Sequence, residues 1–322
     1  MTAAPAAPSA TEKPPARITA KQRPADLWFS GTAVFAGSMI VVTLAAVAIF
    51  LVVQSLPAFS ANGDSASLLT TNFWDYVLPL LFGTIWAAFL ALLVAVPLSL
   101  GIALFITHYA PRRLAQSLGY VVDLLAAVPS VVYGLWGILV FAPSVVPSYK
   151  WLNENLGWIP LFSGQVLNSG RTILTAALVL AVMVVPIITA ICREIFLQTP
   201  TLHEEAALAL GATRWEMIRM AVLPFGRSGI VSASMLGLGR ALGETMAVAM
   251  VLSATNVVTL QLLTSQNPST IAANIALTFP EAYALNINVL IATGLILFVV
   301  TFAVNAVARY IVGRRKEFSG AN

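Results

Sequence analysis

The chain has 322 residues, of which 59% are hydrophobic and only 9% are charged. This composition is much more apolar than that of a soluble domain, so the sequence predicts an integral membrane protein. The single cysteine, Cys192, excludes an internal disulfide and a cysteine metal site, and with His108 and His203 as the two histidines a metal or histidine-based catalytic centre is not expected. The net charge of +4 is less informative than its distribution.

The N-terminal segment 1–28 is rich in Ala, Pro and Thr and carries four Lys or Arg residues. A composition of this kind cannot bury a core, so the segment is predicted to be a disordered tail. The apolar run that follows, at 29–56, is too long for a cleaved signal peptide and ends without a small-residue cleavage pattern. It is expected to be the first transmembrane helix.

Further apolar segments follow, each close to or above the roughly 20 residues that cross the hydrocarbon core of a bilayer. Backbone groups in lipid must be hydrogen-bonded within the segment, so runs of this length predict helices rather than strands. The predicted fold class is an all-α integral membrane protein with six transmembrane helices, at about 29–56, 78–107, 121–141, 173–191, 228–252 and 289–311.

The basic residues alternate between loops along the chain. Lys and Arg are absent from 57–77 and from 253–288, and the loop after the third segment has Lys150, with Arg171 at its membrane edge. The tail, the remaining loops and the C-terminus carry Lys13, Arg17, Lys21, Arg23, Arg112, Arg113, Arg193, Arg214, Arg219, Arg227, Arg309, Arg314, Arg315 and Lys316. The positive-inside rule then predicts that both termini and the loop at 199–224 are cytosolic.

The loop at 199–224, called the Glu205 loop below, carries signals for two short helices. Thr199-Pro200 and the capping box Thr201-x-x-Glu204 predict the first helix start, and the capping box Thr213-x-x-Glu216 predicts the second. Gly211 is expected to be a left-handed stop between them, and Pro224 is expected to end or kink the second helix. A rigid helical segment of this kind suits the transfer of mechanical force.

Arg240 lies inside the fifth predicted span, with Glu244 one helical turn away on the same face. An intramembrane arginine costs about 2.5–3.5 kcal/mol, so it persists only when it is paired or useful. In one interpretation, Arg240 and Glu244 neutralise each other and lock the packing of the helices. In the other, which we favour, Arg240 faces a transport pathway and meets an oxyanion, because its planar guanidinium suits phosphate or carboxylate, and Glu244 tunes or releases it.

The sequence also suggests roles for Asp123 and for the segment 149–158. Asp123 is interpreted as a charge at the start of the third span, near the cytosolic edge. The segment 149–158, with Trp151 and Trp158, is a candidate interfacial helix on the outer face. It would act either as a membrane anchor or as a docking surface for an external binding protein.

The chain contains no G-x-x-x-x-G-K-S/T sequence, and none of its four lysines follows a glycine-rich turn. It is therefore predicted to bind no nucleotide itself, and an ATP-driven process would need another subunit. It also has no Ser-His-Asp or Cys-His set and no nucleic-acid-binding module. Neither an enzyme nor a nucleic-acid partner is expected.

The Glu205 loop resembles the E-A-A loop of ABC-importer permeases. The matching residues, with Ala221 departing from the Ile often found two places before Leu-Pro, are Glu205, Ala206, Ala207, Gly211, Leu223 and Pro224. In that family the loop docks on the cytosolic side into an ATPase subunit. The resemblance implies an ABC type I importer transmembrane domain, with a permease core at 78–313, the coupling loop at 199–224 and a cytosolic C-terminus at 314–322.

Three further segments, at 109–113, 125–137 and 239–248, look like phosphate-importer permeases, and the ending Glu-Thr-Met-Ala-Val favours the PstC type over its partner PstA. The resemblance implies a bacterial inner-membrane protein that pairs with a PstA-type permease, two PstB-type ATPase subunits and an extracytoplasmic PstS-type phosphate-binding protein. It implies that the chain needs no cofactor, with ATP and Mg bound by the ATPase subunits. It also assigns Arg240 and Glu244 to the pathway.

Three alternatives remain open at the level of sequence. A permease for another oxyanion, such as sulfate or molybdate, would share the fold and the coupling loop. An ion-coupled secondary transporter would need no ATPase, and would leave the Glu205 loop without a role. A membrane scaffold that senses phosphate status could coexist with transport.

Overall fold

The computed structural model describes residues 24–63 and 65–316. The chain divides into two compact units, one ending at Phe50 and the other beginning at Leu51. Most of the predicted tail lies outside the described residues, but 24–28 are helical rather than disordered. The predicted C-terminal segment is described only as far as Lys316, where it continues the last helix.

Helices make up nearly all of the described chain. The α-helices are α1 Pro24–Phe59, α2 Phe73–Leu104, α3 Arg112–Ala126, α4 Ser130–Trp136, α5 Ala142–Leu156, α6 Ile173–Leu197, α7 Thr201–Ala209, α8 Arg214–Met217, α9 Leu223–Leu242, α10 Met246–Val251, α11 Ile271–Thr278 and α12 Leu285–Lys316. Wider π-helical turns occupy Phe105–Tyr109, Gly137–Phe141 and Ile218–Val222, and a 3₁₀ turn occupies Phe279–Glu281. Two short strands, β1 Ala254–Thr255 and β2 Asn267–Pro268, pair in parallel.

Six helices of the described chain are long and apolar enough to cross a membrane, which confirms the predicted number of spans. They are Trp28–Phe59, Phe73–Tyr109, Ser130–Leu156, Ile173–Leu197, Arg214–Leu242 and Leu285–Tyr310. Several include a π-helical turn, so the spanning helix runs through more than one labelled element. Within the unit that ends at Phe50, the side chains from Trp28 onward are almost all exposed.

The third span differs from the prediction at 121–141. Helix α3 ends at Ala126, and the candidate span begins only at Ser130 and continues to Leu156. Pro129 explains the break, because proline has no N–H to donate and its ring disfavours helical geometry at the preceding residue. The segment 149–158 is accordingly the end of α5 and the turn that follows it, rather than a separate interfacial helix.

Asp123 also has a different place from the one predicted. It lies near the end of α3 rather than at the start of a span, and its carboxylate accepts from the Arg193 guanidinium of α6 at 3.3 Å. Gly119 leaves the space for this contact, since a Cβ there would lie 2.5 Å from Arg193 Nη1. The pair therefore ties α3 to α6.

The fifth span was predicted at 228–252 and is also shifted. The candidate span begins at Arg214, inside the Glu205 loop, and ends with α9 at Leu242. Gly243, Glu244 and Thr245 interrupt the helix before α10 begins at Met246. The prediction of one straight helix through this region was wrong.

The core of the second unit is built around α6, which packs against both α2 and α9. Small side chains allow the close approach: Ala87, Ala91 and Ala95 of α2 are buried, as are Ala176 and Ala177 of α6. At the α6–α9 contact, a Cβ on Gly237 would lie 2.7 Å from side-chain atoms of both Val184 and Ile188. Close contact through small residues is typical of helices packed within a membrane, where van der Waals contact drives association.

The segment after α10 returns to the core through specific polar contacts. The amide of Ile271, at the start of α11, donates to Thr84 Oγ1 of α2 at 2.9 Å. The Tyr76 hydroxyl of α2 donates to Asn274 Oδ1 of α11 at 2.7 Å. These bonds satisfy buried polar groups, and they hold α11 against α2.

Candidate functional site

The Glu205 loop forms one short helix, a glycine bend and the beginning of a long helix. Helix α7 occupies Thr201–Ala209, and Gly211 follows in the left-handed conformation with φ +86°, as predicted. The predicted capping box at Thr213 is also confirmed: its hydroxyl accepts from the Glu216 amide, and the Glu216 carboxylate accepts from the Thr213 amide at 2.8 Å. These local bonds give the bend a defined geometry.

Two parts of the loop differ from the prediction. Pro200 is the N-cap of α7, which has no side-chain cap bond, so the box at Thr201-x-x-Glu204 does not form. The second helix is not a separate short one, because it continues through the π-helical turn at Ile218–Val222 into α9. Pro224 lies in the first turn of α9, where its missing N–H costs little, and it does not end the helix.

Motif residues of the loop fall into two groups. Ala206, Ala207 and Gly211 line a groove of about 720 Å³ between α7 and the start of the fifth span, with Met220 on its other side. Glu205 lies outside that lining but is exposed, and its side chain has no hydrogen bond or ion pair within the described residues. Leu223 and Pro224 instead begin α9, so they lie within the fifth span and outside the lining of the groove.

The surface around this groove is unusually apolar for a polar stretch of sequence. Leu210, at the tip of the bend, is 90% exposed, and Leu202 and Trp215 are also largely exposed. Exposed apolar side chains next to a groove are typical of a protein–protein contact surface. The exposed Glu205 carboxylate lies on the same helix α7 as part of this surface, and it is free to accept hydrogen bonds from a partner.

We expect Thr213→Ala to loosen the second half of the loop, since it removes the one capping box that forms. A cap of this type contributes about 1 kcal/mol. Deuterium exchange at the amides of 213–217 should become faster in the variant. Thr201→Ala is the matched control, because Thr201 makes no cap bond. Equal exchange rates in the two variants would contradict a stabilising role for the Thr213 capping box.

Arg240 and Glu244 do not form the ion pair that their spacing suggested. Arg240 is in the last turn of α9, whereas Glu244 lies beyond the helix end, so the two do not share a helical face. Glu244 is only 8% exposed, and its carboxylate accepts from the Ala247 amide at 3.1 Å, which caps the start of α10. The interpretation of mutual neutralisation is therefore wrong for this conformation.

Arg240 has no hydrogen-bond or ion-pair partner for its guanidinium among the described residues, although its charge acts on the nearby Tyr133 hydroxyl. Its Nε is buried with no hydrogen-bond partner, and no carboxylate lies within ion-pair distance. Arg171 also has a buried unpartnered Nε, but its Nη2 donates to the Leu252 carbonyl at 3.3 Å. A partly buried guanidinium without such a bond is a candidate anion-binding group.

Sequence reasoning missed one contact at the Glu205 loop. His108 Nε2, at the end of the second span, lies 3.5 Å from Glu204 Oε1 of α7, and Arg214 Nη1 donates to the His108 carbonyl at 3.4 Å. The residues are about 100 positions apart, so no local pattern could have indicated the contact. In the described ranges, no group of three or more His, Cys, Asp or Glu side chains is arranged to hold a metal ion.

Known proteins resemble this chain over most of its length. A family model described as a binding-protein-dependent transport system inner membrane component matches residues 95–317. The phosphate transport system permease protein PstC 2 of Mycobacterium tuberculosis is 49% identical over 315 residues, which cover 93% of this chain and 96% of that protein. PstC of Mycobacterium leprae is 47% identical, with coverage of 83% and 87%, and PstC of Haemophilus influenzae is 39% identical, with coverage of 90% and 93%.

Solved structures agree on the fold. A chain of a bacterial alginate ABC transporter, in complex with an alginate pentasaccharide-bound periplasmic protein, superposes with a TM-score of 0.63 at 15% identity and covers 92% of this chain and 97% of its own. A chain in another solved structure, of a bacterial ABC transporter involved in the import of the acidic polysaccharide alginate, gives a TM-score of 0.58 at 18% identity, with coverage of 89% and 98%. The likeness confirms the predicted membrane fold of an ABC importer.

The family and the six apolar helices together make this a multi-pass inner-membrane protein. The matches to PstC proteins extend well beyond the motifs around Glu205 and Arg240, to almost the whole chain. The chain belongs to the PstC family of phosphate transport system permease proteins, within the binding-protein-dependent transport system inner membrane components.

Proposed function

We propose that this chain is the membrane-spanning permease subunit of an ATP-driven phosphate importer. The observation that carries the proposal is the 49% identity to a protein named as a phosphate transport permease, over 93% of this chain and 96% of that protein. The three sequence relatives reported above are all named for phosphate, which favours phosphate over sulfate or molybdate. An ion-coupled secondary transporter is disfavoured, because the match is to a family of binding-protein-dependent systems.

Arg240 is the residue proposed to meet phosphate in the pathway. An unpaired arginine inside a membrane protein is costly, and a passing oxyanion would supply the missing partner. The guanidinium can donate two parallel hydrogen bonds to phosphate, which a point charge cannot do. The C-terminal end of α9, which is the negative end of the helix dipole, supports a cation at this position in the absence of substrate.

Glu244 is proposed to act on the shape of the pathway rather than on the charge of Arg240. Its carboxylate caps α10, so it stabilises the break between α9 and α10. A straight helix would place the two residues on one face and would allow them to pair. The break therefore leaves the arginine available to the substrate.

The Glu205 loop is proposed to dock on an ATPase subunit of the PstB type. The exposed Leu210 and Trp215 supply apolar contact area, and Glu205 supplies a free acceptor. The chain has no P-loop of its own, so ATP and Mg would be bound by two such ATPase subunits. Both termini and the loop would face the cytosol, as the distribution of Lys and Arg indicates.

The remaining partners would be a PstA-type permease and an extracytoplasmic PstS-type phosphate-binding protein, within a lipid bilayer. Closure of the ATPase pair would move the Glu205 loop and open the pathway outward, where the binding protein delivers phosphate. Hydrolysis would then return the pathway to the inward-open form. In this cycle the present chain contributes the moving loop and the phosphate contact, and no chemical step of its own.

Reconstitution of the assembled complex tests the proposal. Proteoliposomes with the phosphate-loaded binding protein should accumulate radiolabelled phosphate only when ATP is supplied, and sulfate should not be accumulated. Accumulation of phosphate by this chain alone, without an ATPase subunit, would refute the proposal. Preferential accumulation of sulfate would reassign the substrate but keep the coupling.

Glu205→Lys is expected to release the ATPase subunit, because it places a cation where a carboxylate acceptor is proposed to dock. Loss of one charge-assisted hydrogen bond corresponds to about a ten-fold weaker complex, and charge reversal should have a larger effect. The amount of ATPase subunit that co-purifies with the tagged chain measures the strength of this association. Glu194→Lys is the control, since Glu194 is also exposed but lies in α6, outside the loop. Equal co-purification of both variants with wild type would contradict the docking role.

A further inference from the structure

His108 occupies the point where the second span meets the Glu205 loop. It lies in the π-helical turn Phe105–Tyr109 that follows α2, and its side chain is only 8% exposed. Its Nε2 lies 3.5 Å from Oε1 of Glu204, in the first turn of α7. Such wide helical turns are rare and are often associated with function, because they reorient the side chains at a helix end.

The other ring nitrogen is held by the second span itself. His108 Nδ1 lies 2.6 Å from Thr107 Oγ1, which is also 2.9 Å from the Ala103 carbonyl of α2. The Thr107 hydroxyl donates to the Ala103 carbonyl, so its oxygen accepts from His108 Nδ1, and Nε2 faces the Glu204 carboxylate. The imidazole therefore lies between the second span and a carboxylate of α7.

His108 also contacts the part of the Glu205 loop that follows the bend at Gly211. Its backbone carbonyl accepts from Nη1 of Arg214, the first residue of α8, at 3.4 Å. Glu204 and Arg214 lie on opposite sides of the bend at Gly211. His108 therefore contacts the loop both before and after the bend at Gly211. These contacts leave the groove of the loop open to a partner.

We propose that His108 is a positioning residue that transmits movement of the Glu205 loop to the second span. This inference rests on the proposed function. A displacement of α7 would pull on the imidazole and hence on the end of α2. Helix α2 packs along α6, and α6 packs against α9, which carries Arg240. The link therefore connects the docking loop to the helix proposed to bind phosphate, through packed elements that have little freedom to deform.

The test measures the number of phosphate ions transported per ATP hydrolysed by the reconstituted complex. His108→Leu removes the ring contacts with Glu204 and Thr107, and we expect the ratio to fall about ten-fold, which is the size of effect that a charge-assisted contact supplies. Co-purification of the ATPase subunit should stay unchanged. His108→Gln keeps a side-chain donor and should retain most of the coupling. Tyr109→Leu is the matched control, because the neighbouring Tyr109 is exposed and has no side-chain partner among the described residues.

A double-mutant cycle with Glu204→Leu separates a specific link from general damage. If the two residues act through one contact, then the double variant should lose no more coupling than either single variant. Glu204 is the more exposed partner, so its variant keeps the test decisive if His108→Leu does not assemble. An unchanged ratio, additive losses, or failure of His108→Gln to rescue would overturn the proposal. Absence of ATP-dependent phosphate uptake in the wild-type complex would instead refute the proposed function.

Discussion

Replacing Arg240 with glutamine is expected to reduce ATP-dependent phosphate uptake by about 100-fold, with the complex still assembled. Glutamine retains hydrogen-bonding capacity but not the charge and not the planar five-donor geometry that suits phosphate. Loss of a charge-assisted bidentate contact is worth about 3 kcal/mol, which corresponds to that factor. Uptake of radiolabelled phosphate by proteoliposomes is the measurement. Assembly should survive because Arg240 has no hydrogen-bond or ion-pair partner to lose among the described residues.

Two further substitutions make this result specific. Arg240→Lys keeps the charge without the bidentate geometry, so its uptake should fall between wild type and glutamine. Arg227→Gln is the matched control: it is the same substitution in the same helix α9, at an exposed position. Normal uptake by Arg240→Gln would remove Arg240 from the pathway. An equal loss of uptake in Arg227→Gln would indicate that positive charge in α9, and not the position of Arg240, is what matters.

Gly83→Ala is expected to destabilise the protein by about 3 kcal/mol, because the helix at this position touches another backbone segment. A Cβ on Gly83 would overlap the Ser269 carbonyl oxygen and would lie 2.9 Å from that of Pro268. Neither obstacle is a flexible side chain, so the segment before α11 would have to move. That movement would strain the bond from the Ile271 amide to Thr84 Oγ1 as well. Thermal unfolding of the detergent-solubilised protein measures the loss.

Gly101→Ala, in the same helix α2, is the control for this prediction. A Cβ at Gly101 would meet nothing within 4 Å. Alanine should therefore be neutral or should stabilise the helix by up to about 1 kcal/mol, through its better helix propensity. If the two variants unfolded at the same temperature, then the close approach at Gly83 would not be a determinant of stability.

The two broken spans show where sequence patterns were insufficient. Hydropathy detected an apolar run at 121–141 and another at 228–252, but it averages over a window and does not register a break of three residues. Pro129 is a recognisable local signal for the first break. The second break depends on Gly243 and on the cap that Glu244 forms with Ala247. A glycine-rich helix and a glycine-containing break have the same composition, so only the structure distinguishes them.

The sequence by itself determined the properties that arise from composition and from near neighbours: the six apolar helices, the family motifs, the left-handed bend at Gly211 and the capping box at Thr213. Each depends on the length of an apolar run or on hydrogen bonds within a few residues. The tertiary structure alone decided that Arg240 has no ion-pair partner among the described residues, that Asp123 contacts Arg193, and that His108 contacts Glu204. The two contacts join residues far apart in the chain, and Arg240 does not pair with nearby Glu244 because the helix breaks between them. They depend on how helices pack and where they break, which no local pattern encodes.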